Sequence, residues 1–158
     1  MTTQFDIDCA LIAGVAYRST RDQIYRIPPP DGWTEVPLSH VTMPSGFEAV
    51  SFQRNNEIVI SFAGANPEMF DPDWLADCAL TTGLACSQQL KEATAYYLEI
   101  KKTNSNAQIT FTGHSLGGGL AALLGATVRI VSSAAARETC CSPAYNKQFL
   151  CFGMGGRG

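Results

Sequence analysis

No histidine and no aspartate follows Ser115 in this chain of 158 residues; the two histidines are His40 and His114, and the last aspartate is Asp77. There is no Cys-x-x-Cys and no closely spaced histidine pair, which argues against a zinc centre, and no metal or cofactor is expected. There is no basic excess either. Lys and Arg number 11 against 14 Asp and Glu, a net charge of −3, which argues against a nucleic-acid backbone as partner. No apolar run approaches the roughly 20 residues of a membrane span. The opening Met1-Thr2-Thr3-Gln4-Phe5-Asp6 has no basic start and does not read as a secretory signal peptide. Internal repeats and low-complexity tracts are also missing. What remains is 46% hydrophobic and 16% charged, with a mean hydropathy of +0.01. That is enough apolar material for one domain with a core.

The pattern along the chain predicts an α/β layered fold. Residues 5–18 carry Ile7, Leu11, Val15 and Ala16 at helical spacing, with Cys9 read as a small buried apolar side chain. Pro28-Pro29-Pro30-Asp31-Gly32 must be loop, because proline lacks the amide donor. Residues 33–46 read as loop with one short strand. Glu48 to Arg54 alternates, with Val50 and Phe52 on one face, and Asn55-Asn56 suits a hairpin turn. Ile58 to Phe62 is the continuous apolar run of a strand covered on both faces. A short helix is predicted from Asp73 to Cys78, a long one from Gln88 to Lys102, a strand from Ala107 to Thr112, and a buried helix from Leu116 to Val128. Strands alternating with helices of this length suggest βαβ units.

Chemistry concentrates where the last strand meets the last helix. Gly113-His114-Ser115-Leu116-Gly117 fits Gly-x-Ser-x-Gly. A serine on a sharp strand-to-helix turn projects its hydroxyl above the sheet edge, and the flanking glycines remove side chains that would collide there. The helix N-terminus favours developing negative charge, and the Leu116 amide is placed to donate to an oxyanion. His114 is expected to turn away from the reacting face of Ser115, since neighbours in an extended stretch point to opposite sides. His40 is expected to be an ordinary surface histidine on a loop. Asp71, Asp73 and Asp77 suit helix capping and loop fixing.

The run from Gly113 through Gly117 and on to Leu123 resembles the nucleophile elbow and following helix of the class 3 lipases, an α/β-hydrolase family. Ile58-Val59-Ile60-Ser61-Phe62-Ala63-Gly64-Ala65, followed by Asp73-Trp74-Leu75-Ala76-Asp77, is similar to that family's strand, oxyanion loop and Asp-Trp-Leu segment. The resemblance spans about residues 5–127. It implies an ester hydrolase acting on a lipid or small ester, with Ser115 as nucleophile and the amides of Ala65 and Leu116 as oxyanion donors. The family usually carries Arg at the place of Ala63 and Ser or Thr at the place of Ala65. Alanine keeps the backbone donor but loses the hydroxyl, and one lost donor costs about 3 kcal/mol.

The resemblance also implies an Asp or Glu and then a His after the serine. The one acid there is Glu138. Near position 129 the character of the sequence changes. Residues 129–158 hold Arg129, Arg137, Lys147 and Arg157 against Glu138 alone, together with Cys140, Cys141 and Cys151. Residues 1–128 are therefore expected to be the lipase-like portion, and 129–158 a tail left by truncation or a shifted reading frame. An incomplete sheet would leave an open edge and favour self-association. If the tail arises from a frame shift, another frame of the coding DNA past codon 128 encodes a strand followed by Asp and His. The absence of any such frame contradicts it.

Overall fold

The computed structural model describes residues 2–19, 22, 26–64 and 85–134. Helix α1 runs Gln4–Val15. It starts where it does because Thr3 and Asp6 form a capping box: the Thr3 amide donates to the Asp6 carboxylate at 2.7 Å, and the Asp6 amide to the Thr3 hydroxyl at 3.3 Å. It stops short of the predicted Arg18. The Arg18 and Ser19 amides donate to the Glu48 carboxylate at 3.2 and 2.8 Å instead of continuing the helix.

Strands β1 (Thr34–Glu35) and β2 (Val41–Thr42) are two residues each, so residues 33–46 contain two short strands where one was expected. Both pair antiparallel with β3 (Glu48–Arg54), which pairs antiparallel with β4 (Glu57–Phe62). Asn55 turns the hairpin at φ 54°, as the sequence predicted. Helix α2 (Ala85–Thr103) then leads to β5 (Gln108–Gly113), which lies parallel to β4. Helix α3 (Leu116–Ala134) follows and continues past the predicted end at Val128. The predicted helix from Asp73 to Cys78 lies outside the described residues.

The sheet order is β1-β3-β4-β5, with β2 also on β3. Alternation along β4 explains the three layers. Ile58, Ile60 and Phe62 join Phe111, Ala93, Ile100, Leu120, Ala121 and Leu124 on the face covered by α2 and α3. Val59, with Val50 and Phe52, meets Cys9, Ile12 and Val15 of α1 on the other face. Both faces of β4 are therefore dry, which is why its sequence is apolar throughout. The predicted burial of α3 on nearly every side does not hold. Leu120, Ala121 and Leu124 are buried, whereas Leu123 is 51% exposed. Small residues make this helix uniformly apolar in sequence, but only one stripe of it meets the sheet.

A buried carboxylate fixes α1 to the far end of the hairpin. Asp8 accepts hydrogen bonds from Trp33 Nε1 at 2.9 Å, Gln4 Nε2 at 2.9 Å and Arg54 at 2.6 Å. The Arg54 guanidinium lies 4.4 Å from the centre of the Trp33 ring. Burial pushes the Asp8 carboxyl up, but these donors and the Arg54 charge outweigh it and hold the group below its ordinary value. Its stabilising contribution is therefore complete above the unfolded carboxyl's value, about pH 4, and is lost as pH falls through the lower folded value. Asp8→Asn is expected to lower unfolding stability by about 2 kcal/mol at pH 7. The gap to the parent should narrow below pH 4. Urea denaturation across pH checks both.

Candidate active site

Three backbone approaches build the turn between β5 and α3. A Cβ on Gly113 would lie 2.5 Å from the Gly117 carbonyl and 2.8 Å from the Phe62 carbonyl oxygen. A Cβ on Gly117 would collide with the carbonyl oxygens of Phe62 and Ala63. One on Gly64 would lie 2.9 Å from the His114 carbonyl oxygen and 3.2 Å from Ser115 Cβ. The strand end and the helix start thus touch through main chain, and only hydrogen fits between them. The compression appears at Ser115, whose φ is 57°. That left-handed conformation costs a residue with a Cβ about 1–2 kcal/mol.

The side chain of Ser115 is exposed at the C-terminal end of β5. Leu116 opens α3, so its amide belongs to the first turn, where amides have no intrahelical acceptor. Gly117 donates to the His114 carbonyl at 3.1 Å and Gly119 to the Ser115 carbonyl at 3.2 Å, which starts the helix. An exposed hydroxyl next to the first turn of a helix is the arrangement in which a serine can meet a carbonyl with a backbone amide nearby to take up developing negative charge. Gly64 brings the end of the β4 segment against Ser115. Ala65, the second expected oxyanion donor, lies outside the described residues, as do Asp71, Asp73 and Asp77.

His114 meets Tyr17, not the nucleophile position. Its Nδ1 is 2.9 Å from the Tyr17 hydroxyl, and the two rings stand edge to face at 6.0 Å. His40 is not the ordinary surface histidine that was expected. It is one-third exposed, and its Nε2 lies 2.9 Å from the carboxylate of Glu48, itself only 6% exposed. Sequence reading missed both Tyr17 and Glu48. Tyr17 stands 97 residues from His114, and no local spacing signals such a contact. Among the described residues no group of three His, Cys, Asp or Glu side chains is placed to hold a metal, and no helix is long and apolar enough to cross a membrane. An apolar cavity of about 420 Å³, lined by Val36, Val41, Met43, Ala95, Tyr96 and Ile100 among others, does not include Ser115.

Comparison with known proteins bears on the family and the fold. A family model described as phospholipase-like, the Tle-like phospholipase domain, matches residues 8–136. The extracellular phospholipase A1 of Serratia liquefaciens is 36% identical over 94 residues, which is 58% of this chain and 28% of that protein. Lipase II from Rhizopus niveus superposes with a TM-score of 0.56 at 18% identity, over 90% of this chain and 58% of the lipase. A fungal lipase from a lipase–inhibitor complex gives 0.59 at 15% identity, over 98% of this chain and 70% of that one. The Rhizomucor miehei lipase in its propeptide complex gives 0.52 at 18% identity, over 77% of this chain and 45% of that one. The chain thus spans about a quarter of its curated relative and about half of several solved lipases. These likenesses show a mixed α/β fold similar to the α/β-hydrolase fold of lipases, as the sequence predicted.

The glycine contacts separate positions that look alike in sequence. Gly117→Ala should destabilise the fold by about 3 kcal/mol, because its methyl would meet carbonyl oxygens that cannot give way. Gly119→Ala meets nothing within 4 Å and should be neutral or stabilising by up to about 1 kcal/mol. Chemical denaturation of the two variants checks this contrast.

Proposed function

The chain belongs to the Tle-like phospholipase domain family, and from that premise we propose that it is a serine hydrolase of carboxylic esters, acting on glycerolipids through an acyl-enzyme at Ser115. The left-handed Ser115 at the β5–α3 junction carries this reading. Ser115 Oγ attacks the ester carbonyl. The amides of Leu116 and Ala65 hold the oxyanion, and the alcohol leaves with the serine's proton returned to it by a general base. Water then attacks the acyl-serine and releases the fatty acid. The likeness to an extracellular phospholipase A1 and to a triacylglycerol lipase favours phospholipid and triacylglycerol esters as the substrate class.

The base and its carboxylate partner are the parts unaccounted for. No histidine or aspartate follows Ser115, although hydrolases of this fold supply both after the serine. We therefore place the base outside these 158 residues, in the remainder of a longer chain or in a second chain, and propose residues 1–128 as the hydrolase portion and 129–158 as a tail, with α3 running across that boundary to Ala134. The same absence favours a second reading, an inactive portion that at most binds lipid. Hydrolases stripped of triad groups retain about 10³–10⁴-fold acceleration over water from the oxyanion hole and binding alone, a rate that does not need the serine, so cleavage lost on substituting Ser115 is what marks a base acting on it.

Self-association is proposed on the sheet. Among the described residues β5 pairs with β4 alone, and its other edge is where a second copy would pair. A purely monomeric elution on size-exclusion chromatography at high concentration contradicts this. The catalytic reading is checked with short- and long-chain p-nitrophenyl esters and a phosphatidylcholine, comparing the chain with Ser115→Ala. The hydrolase reading expects ester cleavage that disappears in the variant. Equal rates in the two favour the inactive reading.

A further inference from the structure

We propose that Glu48 is a positioning residue for Ser115: it holds two walls beside the serine, the end of β4 and the segment that carries Tyr17. This rests on the reading of Ser115 as nucleophile. One wall is the end of β4. The main-chain carbonyl of Glu48 accepts from the Ala63 amide at 3.0 Å, immediately before Gly64 passes against Ser115. The other wall is the strap formed by residues 16–19, and here the Glu48 side chain acts. Its carboxylate accepts from the Arg18 amide at 3.2 Å, the Ser19 amide at 2.8 Å and the Ser19 hydroxyl at 2.6 Å. His40 contributes a further contact at 2.9 Å.

A carboxylate this deeply buried is costly unless its lone pairs are taken up, and bonds to a charged acceptor are about twice as strong as neutral ones. The strap is pinned a second time by Arg18, which pairs with Glu35 at 2.5 Å and lies over the Phe52 ring. On the other side Ala16 is fully buried. The main chain at Tyr17 is therefore held on both flanks, and its hydroxyl lies 2.9 Å from His114 Nδ1 and donates to the His114 carbonyl oxygen at 3.4 Å. A Cβ on Gly64 would sit 2.5 Å from this hydroxyl and 3.2 Å from Ser115 Cβ. The phenol thus stands over the same point of backbone as the serine, and a carboxylate on β3 determines how closely it does so. Glu48 touches no reacting atom in this arrangement and acts through Tyr17 and Ala63.

The experiment uses the full 158-residue chain with two readouts. The first is covalent labelling of Ser115 by a fluorophosphonate, followed by mass spectrometry. The second is the imidazole NMR signals, of which there are two sets, distinguished by His40→Asn. Glu48→Gln keeps size and main chain but presents an NH₂ group toward donors. It should slow labelling about tenfold, the loss of one hydrogen bond's worth of alignment, and shift the His114 signals although it does not touch that ring. Tyr17→Phe should do the same, and the double variant should be no worse than Tyr17→Phe, as expected for one coupled unit. Asp8→Asn, which weakens the same face away from the strap, should leave both readouts unchanged. The proposal is overturned if Glu48→Gln leaves the His114 signals in place, if the two losses add, or if Asp8→Asn reproduces them. If Ser115 labels in no chain, the parent included, the inactive reading of these 158 residues is favoured, while the His114 signals still decide the role of Glu48.

Discussion

Gly117 lies so close to the carbonyl oxygens of Phe62 and Ala63 that no side chain fits between them, and much else in the molecule follows from that contact. It pulls the first turn of α3 onto the end of β4. With Gly113 pressed against Gly117 from the β5 side, the chain has no room for a gradual bend. Ser115 takes the left-handed conformation because the residues around it leave no other path. The strain is local and is sustained by burial elsewhere, in the two apolar layers on either side of β4.

The sheet can support such a junction because its neighbours are fixed at both ends. At one end the Asp8 cluster joins α1 to Trp33 and Arg54. At the other, Glu48 joins the residues after α1 to the strand beside the elbow. Both are buried carboxylates that accept several hydrogen bonds, which take up their lone pairs and fix the groups around them. A shift of the Glu48 anchor would be felt at the serine, since close-packed interiors transmit displacement, whereas the Asp8 cluster lies at the opposite end of the hairpin.

Much of this was legible in the sequence, for physical reasons that differ by element. The β3–β4 hairpin declared itself through alternation and Asn55-Asn56. β4 declared itself through an unbroken apolar run, and the elbow through glycines at fixed offsets from a serine. The end of α1 was misread because its cause is a carboxylate 30 residues away, and periodicity carries no trace of that. His40 was misread for the same reason: its environment is set by Glu48 across a turn. The exposure of Leu123 was hidden because α3 is rich in small apolar residues all round. Tyr17 came to the site through topology alone.

The left-handed backbone at Ser115 is the point on which the elbow stands, and it is measured most directly by comparing the unfolding free energies of Ser115→Gly and Ser115→Ala. Both lack the hydroxyl, so the difference isolates the backbone. At an ordinary helix or strand position alanine is the more stable by about 0.5–1 kcal/mol. A left-handed position reverses the sign, and glycine should be the more stable by about 1 kcal/mol. Alanine equal to or better than glycine would contradict a strained turn at this serine.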